Sequence, residues 1–319
     1  MAEEALYSAA ALSAVVIVGA IIGILRVRGP YLGVGSAALG RTQRAAFVRT
    51  ASAVLVTLLV FGAAVLAHLA FPLWQGVSFL VAPSLSTAAG LAVFAVFPAV
   101  PIEGQVDRHI ASLDRRNAKS LASPKLRWTF VSSTALSMAV IAACGSLSSA
   151  PPDGRFLCAA VFDVPCTVGG PYLFPGWYFG VPTAVAVVLL AASVALAFRR
   201  VAVSPGAAWP GFVTADIALR ENAARLILFI GIAPMMLTTG MLLAAAGLPF
   251  LNAPVLNTGL TGDAAHWLSM LGLALLLAGG VALLAGLAFT VAAALSGISA
   301  GRLRRMPRDD GTSTVEQPA

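Results

Sequence analysis

The stretch WLSMLGLALLLAGGVALLAGLAFTVAAALS, Trp267 to Ser296, is thirty residues without one Asp, Glu, Lys or Arg. At about 1.5 Å per residue, a helix of that length runs about 45 Å, against about 30 Å of bilayer hydrocarbon. The run is continuous and does not alternate apolar with polar side chains, so it predicts a membrane-crossing helix rather than a strand. Its excess length predicts tilt, or extension past the surface. Gly272, Gly279 and Gly286 recur every seven residues within it, and Ala265 and Ala293 continue the series. Small residues on one stripe let a second backbone approach closely, the usual basis of helix association in lipid. The stripe is therefore expected to pack within a bundle or between copies in a homo-oligomer.

The rest of the chain has the same character. Of 319 residues, 59% are hydrophobic and 10% charged, and the mean hydropathy is +0.91. A soluble domain carries about 25% charged residues, so this chain cannot coat a water-facing surface. Seven apolar runs, at about 5–25, 51–71, 77–100, 128–147, 177–198, 226–246 and 267–296, predict an all-α polytopic membrane domain over 1–306. Residues 307–319 are polar and are expected to form a disordered tail. The first run is not read as a cleaved signal: Glu3 and Glu4 precede it and Arg26 and Arg28 follow it, reversing the usual charge order. It carries a second close-packing mark, Gly19 with Gly23.

Orientation follows from Lys and Arg in the connections. Nineteen of the twenty basic residues fall in the first, third and fifth connections and the tail; only Arg155 falls in the others. The N-terminus is therefore expected outside and the C-terminus in the cytoplasm. Trp74, Trp128, Trp177, Trp209 and Trp267 all sit at or beyond run ends, where an amphipathic ring suits the headgroup layer. Arg outnumbers Lys eighteen to two amid abundant Ala and Gly, a bias that suggests a GC-rich bacterial genome and hence the bacterial plasma membrane. The basic excess, at a pI near 10.0, is explained by this placement, so no nucleic-acid partner is expected.

On the expected outer side, LCAAVFDVPC holds Cys158 and Cys166. Thiols outside the plasma membrane can be oxidised and stay so, and the spacing lacks the C-x-x-C of redox pairs, so a structural disulfide is expected. The loop is also rich in aromatics (Phe156, Phe162, Tyr172, Phe174, Trp177, Tyr178, Phe179), which predicts that it lies on the bilayer or caps the bundle. On the inner side, DRHIASLDRRNAKSLASPKLRW and TADIALRENAARLI mix apolar residues at helical spacing with basic ones. Both read as interfacial amphipathic helices on anionic lipid headgroups, with docking of a cytoplasmic partner as the other reading; a homo-oligomer or a membrane-protein partner is a further expectation for the chain.

Within the runs no Asp, Glu, Lys or Arg lies far from an end. Ion-coupled carriers usually need such a group near the midplane, and a retinal protein needs a lysine in its last helix. No H-E-x-x-H, G-x-S-x-G or phosphate-binding glycine loop occurs, so no catalytic residue and no cofactor is assigned. Prolines interrupt three runs, Pro83, Pro182 and Pro234, with hydroxyl residues around them: Ser84, Ser86, Thr87, Thr238 and Thr239, and Ser132, Ser133 and Thr134 in the fourth run. These eight are a candidate polar pathway; interhelical hydrogen bonding is the plainer reading. His68 and His266, both near outer run ends, are the candidate haem or metal ligands, with interfacial hydrogen bonding as the alternative.

One internal echo bears on transport. RVRGPYLGVGSAALGRTQRAAFVRTA, from Arg26, and RRVAVSPGAAWPGFVTADIALRENAARL, from Arg199, each run from arginines through Pro, Gly and an aromatic to Ala-Arg and the next span. Spans one to three and five to seven would then be parallel repeats joined by span four. That arrangement resembles the topology of the sugar-efflux SWEET carriers, whose Pro-Gln dipeptide is absent from these spans. The expected role is a non-enzymatic membrane component that binds or scaffolds a partner. The alternatives are a carrier of a neutral or lipid-like molecule and, more remotely, a haem- or metal-binding redox protein.

Overall fold

Water cannot satisfy peptide groups inside a bilayer, so an apolar chain of this kind must close its backbone hydrogen bonds within each segment. The computed structural model describes residues 37–70, 76–96, 121–149, 158–159, 174–203, 213–252 and 262–303. Nearly all of them are helical: α1 (Ala37–Ala70), α2 (Val77–Val96), α3 (Pro124–Ser146), α4 (Trp177–Val203), α5 (Val213–Leu251) and α6 (Gly262–Leu303). All six are long and apolar enough to cross a membrane, the architecture of a multi-pass membrane protein. They cover the expected second to seventh spans. The expected first span with Gly19 and Gly23, the basic stretch 97–120, Cys166 and the tail 307–319 lie outside the described residues.

Helix ends differ from the apolar boundaries for local reasons. α3 starts at Pro124, before the expected 128, because Ser123 caps it: its hydroxyl accepts from the Leu126 amide at 3.4 Å, and proline suits the first turn. α2 follows Gly76, whose φ of 86° few other residues adopt; residues 97–100 of the expected third span lie outside those described. The segment expected to lie on the surface as a separate helix, TADIALRENAARLI, instead continues unbroken into the spanning part of α5. It contains no Pro or Gly to stop the helix, and Glu221 stands one turn from Arg225 at 4.0 Å.

α5 is the most buried helix and lies against α2, α3, α4 and α6. α6 packs chiefly on α5, while α1, the least buried, packs chiefly on α2. The interior holds Leu91, Ile141, Val187, Leu190, Val194, Met235 and Leu242 together with small and hydroxyl residues. Large aliphatics point outward instead: Leu55, Leu59 and Leu66 on α1, and Leu277, Val281, Leu284 and Val291 on α6. In water such faces would aggregate; in lipid they are the solvated surface.

The α5–α6 pair is antiparallel and keyed by a seven-residue step on both helices. On α6, Gly272, Gly279 and Gly286 face α5; opposite them stand Gly247, Gly240 and Ala233. A methyl added at Gly279 would come within 2.8 Å of the Gly240 carbonyl oxygen, and one at Gly247 within 2.7 Å of the Gly272 carbonyl oxygen. The register persists along the pair. Phe229 meets Phe289 with ring centroids 5.9 Å apart, and the Asn222 amide donates to the Ser296 carbonyl at 3.3 Å. Gly280, one residue further round α6, has nothing within 4 Å of an added methyl.

That contrast gives a paired prediction. Gly279→Val forces the two backbones apart and should destabilise the protein by about 1–3 kcal/mol, the usual cost of overpacking. Gly280→Ala should be neutral or stabilising by up to about 1 kcal/mol through helix propensity alone. Thermal unfolding in detergent micelles reads both, and equal effects at the two positions would contradict the register.

Candidate functional site

The candidate site is the hydroxyl cluster where α2 and α3 converge on the middle of α5. Consecutive residues lie about 100° apart around a helix, so neighbouring side chains address different partners. Thr238 of α5 faces α2, where the Ser84 hydroxyl lies 3.1 Å from its own. Thr239 faces α3, where the Ser137 hydroxyl lies at 2.7 Å. One turn earlier, Met235 offers its sulfur to Thr134 at 3.2 Å and to Ser133 at 3.8 Å. Ser84, Thr238 and Thr239 are wholly inaccessible, and Ser133 and Ser137 are within a percent of it.

The other expected pathway residues do different things. Ser86 and Thr87 are bonded back to their own helix, at the carbonyls of Ala82 (2.6 Å) and Pro83 (2.7 Å). Ser132 is exposed on the outer face of α3, donating to Thr129 at 3.0 Å, and takes no part in the cluster. Ser137 is a member that the sequence reading missed. It stands four residues after Ser133, and that helical spacing was the available signal.

Each hydroxyl carries one proton. Between them Ser137 and Thr239 have four acceptors in reach: the Ser133 carbonyl at 2.9 Å, the Met235 carbonyl at 2.8 Å from Thr239 and 3.5 Å from Ser137, and each other's oxygen. A bond between the two hydroxyls uses one proton and leaves the other for a backbone carbonyl. Every hydroxyl of the cluster has at least one hydrogen-bond partner. No acid or base stands among these groups, so the cluster has nothing to activate a nucleophile or relay a proton.

The ends of the bundle are polar in different ways. At the end of the bundle where α3 finishes, a two-residue ladder pairs Ser148 with Ala159 and Ser149 with Cys158, folding the loop after α3 back on itself. Ala159 and Phe174 pack with Cys144, Ala246 and Phe250, the Phe174 and Phe250 rings meeting edge-on at 6.0 Å. The described part of this aromatic loop thus caps α3 and α5. Cys144 is a buried free thiol. The expected Cys158–Cys166 bridge falls on a residue outside those described. At the other end, Arg127 and Arg200 stand in the first turn of α3 and the last turn of α4, and Arg49 reaches from within α1 to the last turn of α2. There an open cleft of about 380 Å³ between α3 and α5 is lined by Ser123, Lys125, Leu126, Thr129, Arg225 and Phe229.

The two candidate ligand histidines have different surroundings. His68 lies near the end of α1 with its ring 6.2 Å from that of Phe79, and His266 is exposed in the first turns of α6. Among the described residues no group of three or more His, Cys, Asp or Glu is placed to hold a metal ion.

Comparison of the chain with protein-family models, with curated proteins and with solved structures returns no match. The functional reading therefore rests on the geometry.

If the interhelical hydroxyl bonds hold α3 to α5, Ser137→Ala and Thr239→Val should be coupled. A double-mutant cycle should give an interaction of about 0.6 kcal/mol, and no more than about 1.7 kcal/mol, the range seen for such bonds in membrane bundles. Ser132→Ala, on the outer face, should stay within about 0.5 kcal/mol of wild type. Strict additivity at 137 and 239 would show that the bond contributes nothing.

Proposed function

We propose that the protein is a non-enzymatic, multi-pass component of a bacterial plasma membrane that binds or scaffolds a membrane partner. One observation carries this reading: the polar side chains in the middle of the bundle are paired with one another at essentially zero exposure and contain no titratable group. Such a centre has neither the groups for catalysis nor an open polar path, whereas the apolar flanks of α1 and α6 remain outward. The same reading includes a seventh span before α1 and an N-terminus outside, supported by nineteen of twenty basic residues falling on one side of the seven apolar runs. It also includes a Cys158–Cys166 staple, supported by the compact outer cap into which the backbone of Cys158 is paired.

A second reading, carriage of a neutral or lipid-like molecule, is favoured by the placement of three prolines. Pro83 adjoins Ser84, Pro182 adjoins buried Thr183, and Pro234 lies one turn from Thr238, on three helices that meet around the cluster. Proline weakens the helix where it stands, and a bundle hinged there could open a crevice.

Cysteine accessibility separates the two. In a variant with the native cysteines replaced, single cysteines at Ser84, Ser133 and Thr238 should resist a membrane-impermeant maleimide from either side. A cysteine at exposed Ser123 should react only after permeabilisation. Labelling at any of the three buried positions would favour the carrier, and labelling of Ser123→Cys in intact cells would invert the topology.

A further inference from the structure

We infer that the arginine-rich end of the bundle binds a phosphate-bearing anion between Arg49 and Arg200, supplied by the headgroup of an anionic phospholipid. The inference rests on the membrane reading and is independent of the role as scaffold or carrier.

Arg49, in the first half of α1, reaches the last turn of α2. Its Nε donates to the Phe94 carbonyl at 2.8 Å, and its guanidinium carbon lies 3.7 Å from the centre of the Phe94 ring. These contacts use one of five N–H donors; its Nη2 is buried and has no hydrogen-bond partner among the described residues. Arg200, in the last turn of α4, stands at the same end of the bundle: α4 packs along α2, Phe94 and Val201 belong to one hydrophobic cluster, and the Arg200 Nε is likewise buried with no hydrogen-bond partner among the described residues. The simpler explanation is that both arginines offset the carbonyl ends of α2 and α4, where the helix dipole presents about half a negative charge. That accounts for the cations being there. It leaves a buried donor on each without an acceptor, and two like charges together with no carboxylate paired to either among the described residues.

An anion from outside the chain resolves both defects at once. Guanidinium groups match phosphate geometrically, each offering parallel N–H pairs to its oxygens. The position favours a lipid as its carrier. Arg49 belongs to the least buried helix, at the end where basic residues gather. Directly beyond it along α1, Leu55, Leu59 and Leu66 form an exposed stripe on which acyl chains can lie. The cleft at Lys125 and Arg225 is the useful contrast: Arg225 is exposed and already faces Glu221.

The test uses the full chain, purified in neutral detergent and stripped of lipid. Native mass spectrometry and thermal unfolding are recorded with added phosphatidylglycerol, with phosphatidylcholine and with inorganic phosphate. Phosphatidylglycerol should bind and raise the unfolding midpoint, and phosphatidylcholine should not. Arg200→Gln, which breaks no existing hydrogen bond, should weaken phosphatidylglycerol binding roughly tenfold, in line with one charge-assisted hydrogen bond. Arg225→Gln should leave it unchanged. If Arg200→Gln fails to fold, the comparison of the two lipids on wild type decides alone. Inorganic phosphate matching the lipid would move the anion's source to solution and overturn the lipid assignment. Equal response to both lipids, or binding unaffected in Arg49→Lys/Arg200→Gln, would overturn the site. A protein that stays soluble without detergent would instead overturn the membrane reading itself.

Discussion

Between helices in lipid the hydrophobic effect is nearly silent, because the surrounding tails are as apolar as the side chains they replace. What remains is close backbone approach and hydrogen bonding, and α5 supplies both. One of its faces carries Ala233, Gly240 and Gly247 at a seven-residue step and takes in the matching glycines of α6. Another carries Thr238 and Thr239, which reach Ser84 of α2 and Ser137 of α3. A helix whose opposite faces use the two attractions that work in a bilayer becomes the axis of the bundle. Its burial, the greatest of the six, is the consequence.

The remaining helices are arranged by what α5 leaves over. α6 gives its small face to α5 and turns its leucines and valines outward. α1, attached through α2, has little inward surface, and its tie at the arginine-rich end is the reach of Arg49 to Phe94. The opposite end is closed differently, by Phe174 set against Phe250 and by Trp177 lying over Gly145. Neutral hydroxyls sit at the centre, cations at one end and aromatics at the other.

Much of this was legible in the sequence because charge is confined to the connections, leaving apolar runs that only helices can carry across a membrane. The six described helices lie where six of those runs predicted them. Helix starts were less legible: they depend on single residues such as Ser123 and Gly76, which hydropathy averages away. Running TADIALRENAARLI into α5 follows from the absence of a breaker, a signal outweighed in the reading by its charges.

The glycine stripe on α6 is readable in the sequence, and so is the face it packs on. Ala233, Gly240 and Gly247 repeat at the same step, and matching the two periods would have paired the helices in advance. Among the hydroxyls, adjacency in sequence misled: Ser132 was grouped with Ser133, although a single residue turns it to the outer face, whereas Ser137 returns to the inner one. The long-range pairings Ser84 with Thr238 and Ser137 with Thr239 depend on how helices cross, which no local pattern encodes.

Disulfide trapping tests the convergence on α5 most directly. In a chain whose native cysteines are replaced, the pairs Ser84→Cys/Thr238→Cys and Ser137→Cys/Thr239→Cys are oxidised with membrane-permeant copper phenanthroline, then cleaved at a protease site placed within residues 204–212. Hydroxyls 3.1 and 2.7 Å apart predict that both pairs hold the fragments together until reduced, while Ser132→Cys/Thr239→Cys falls apart. Fragments that separate for both buried pairs, or a bridge forming at 132 instead, would contradict the account.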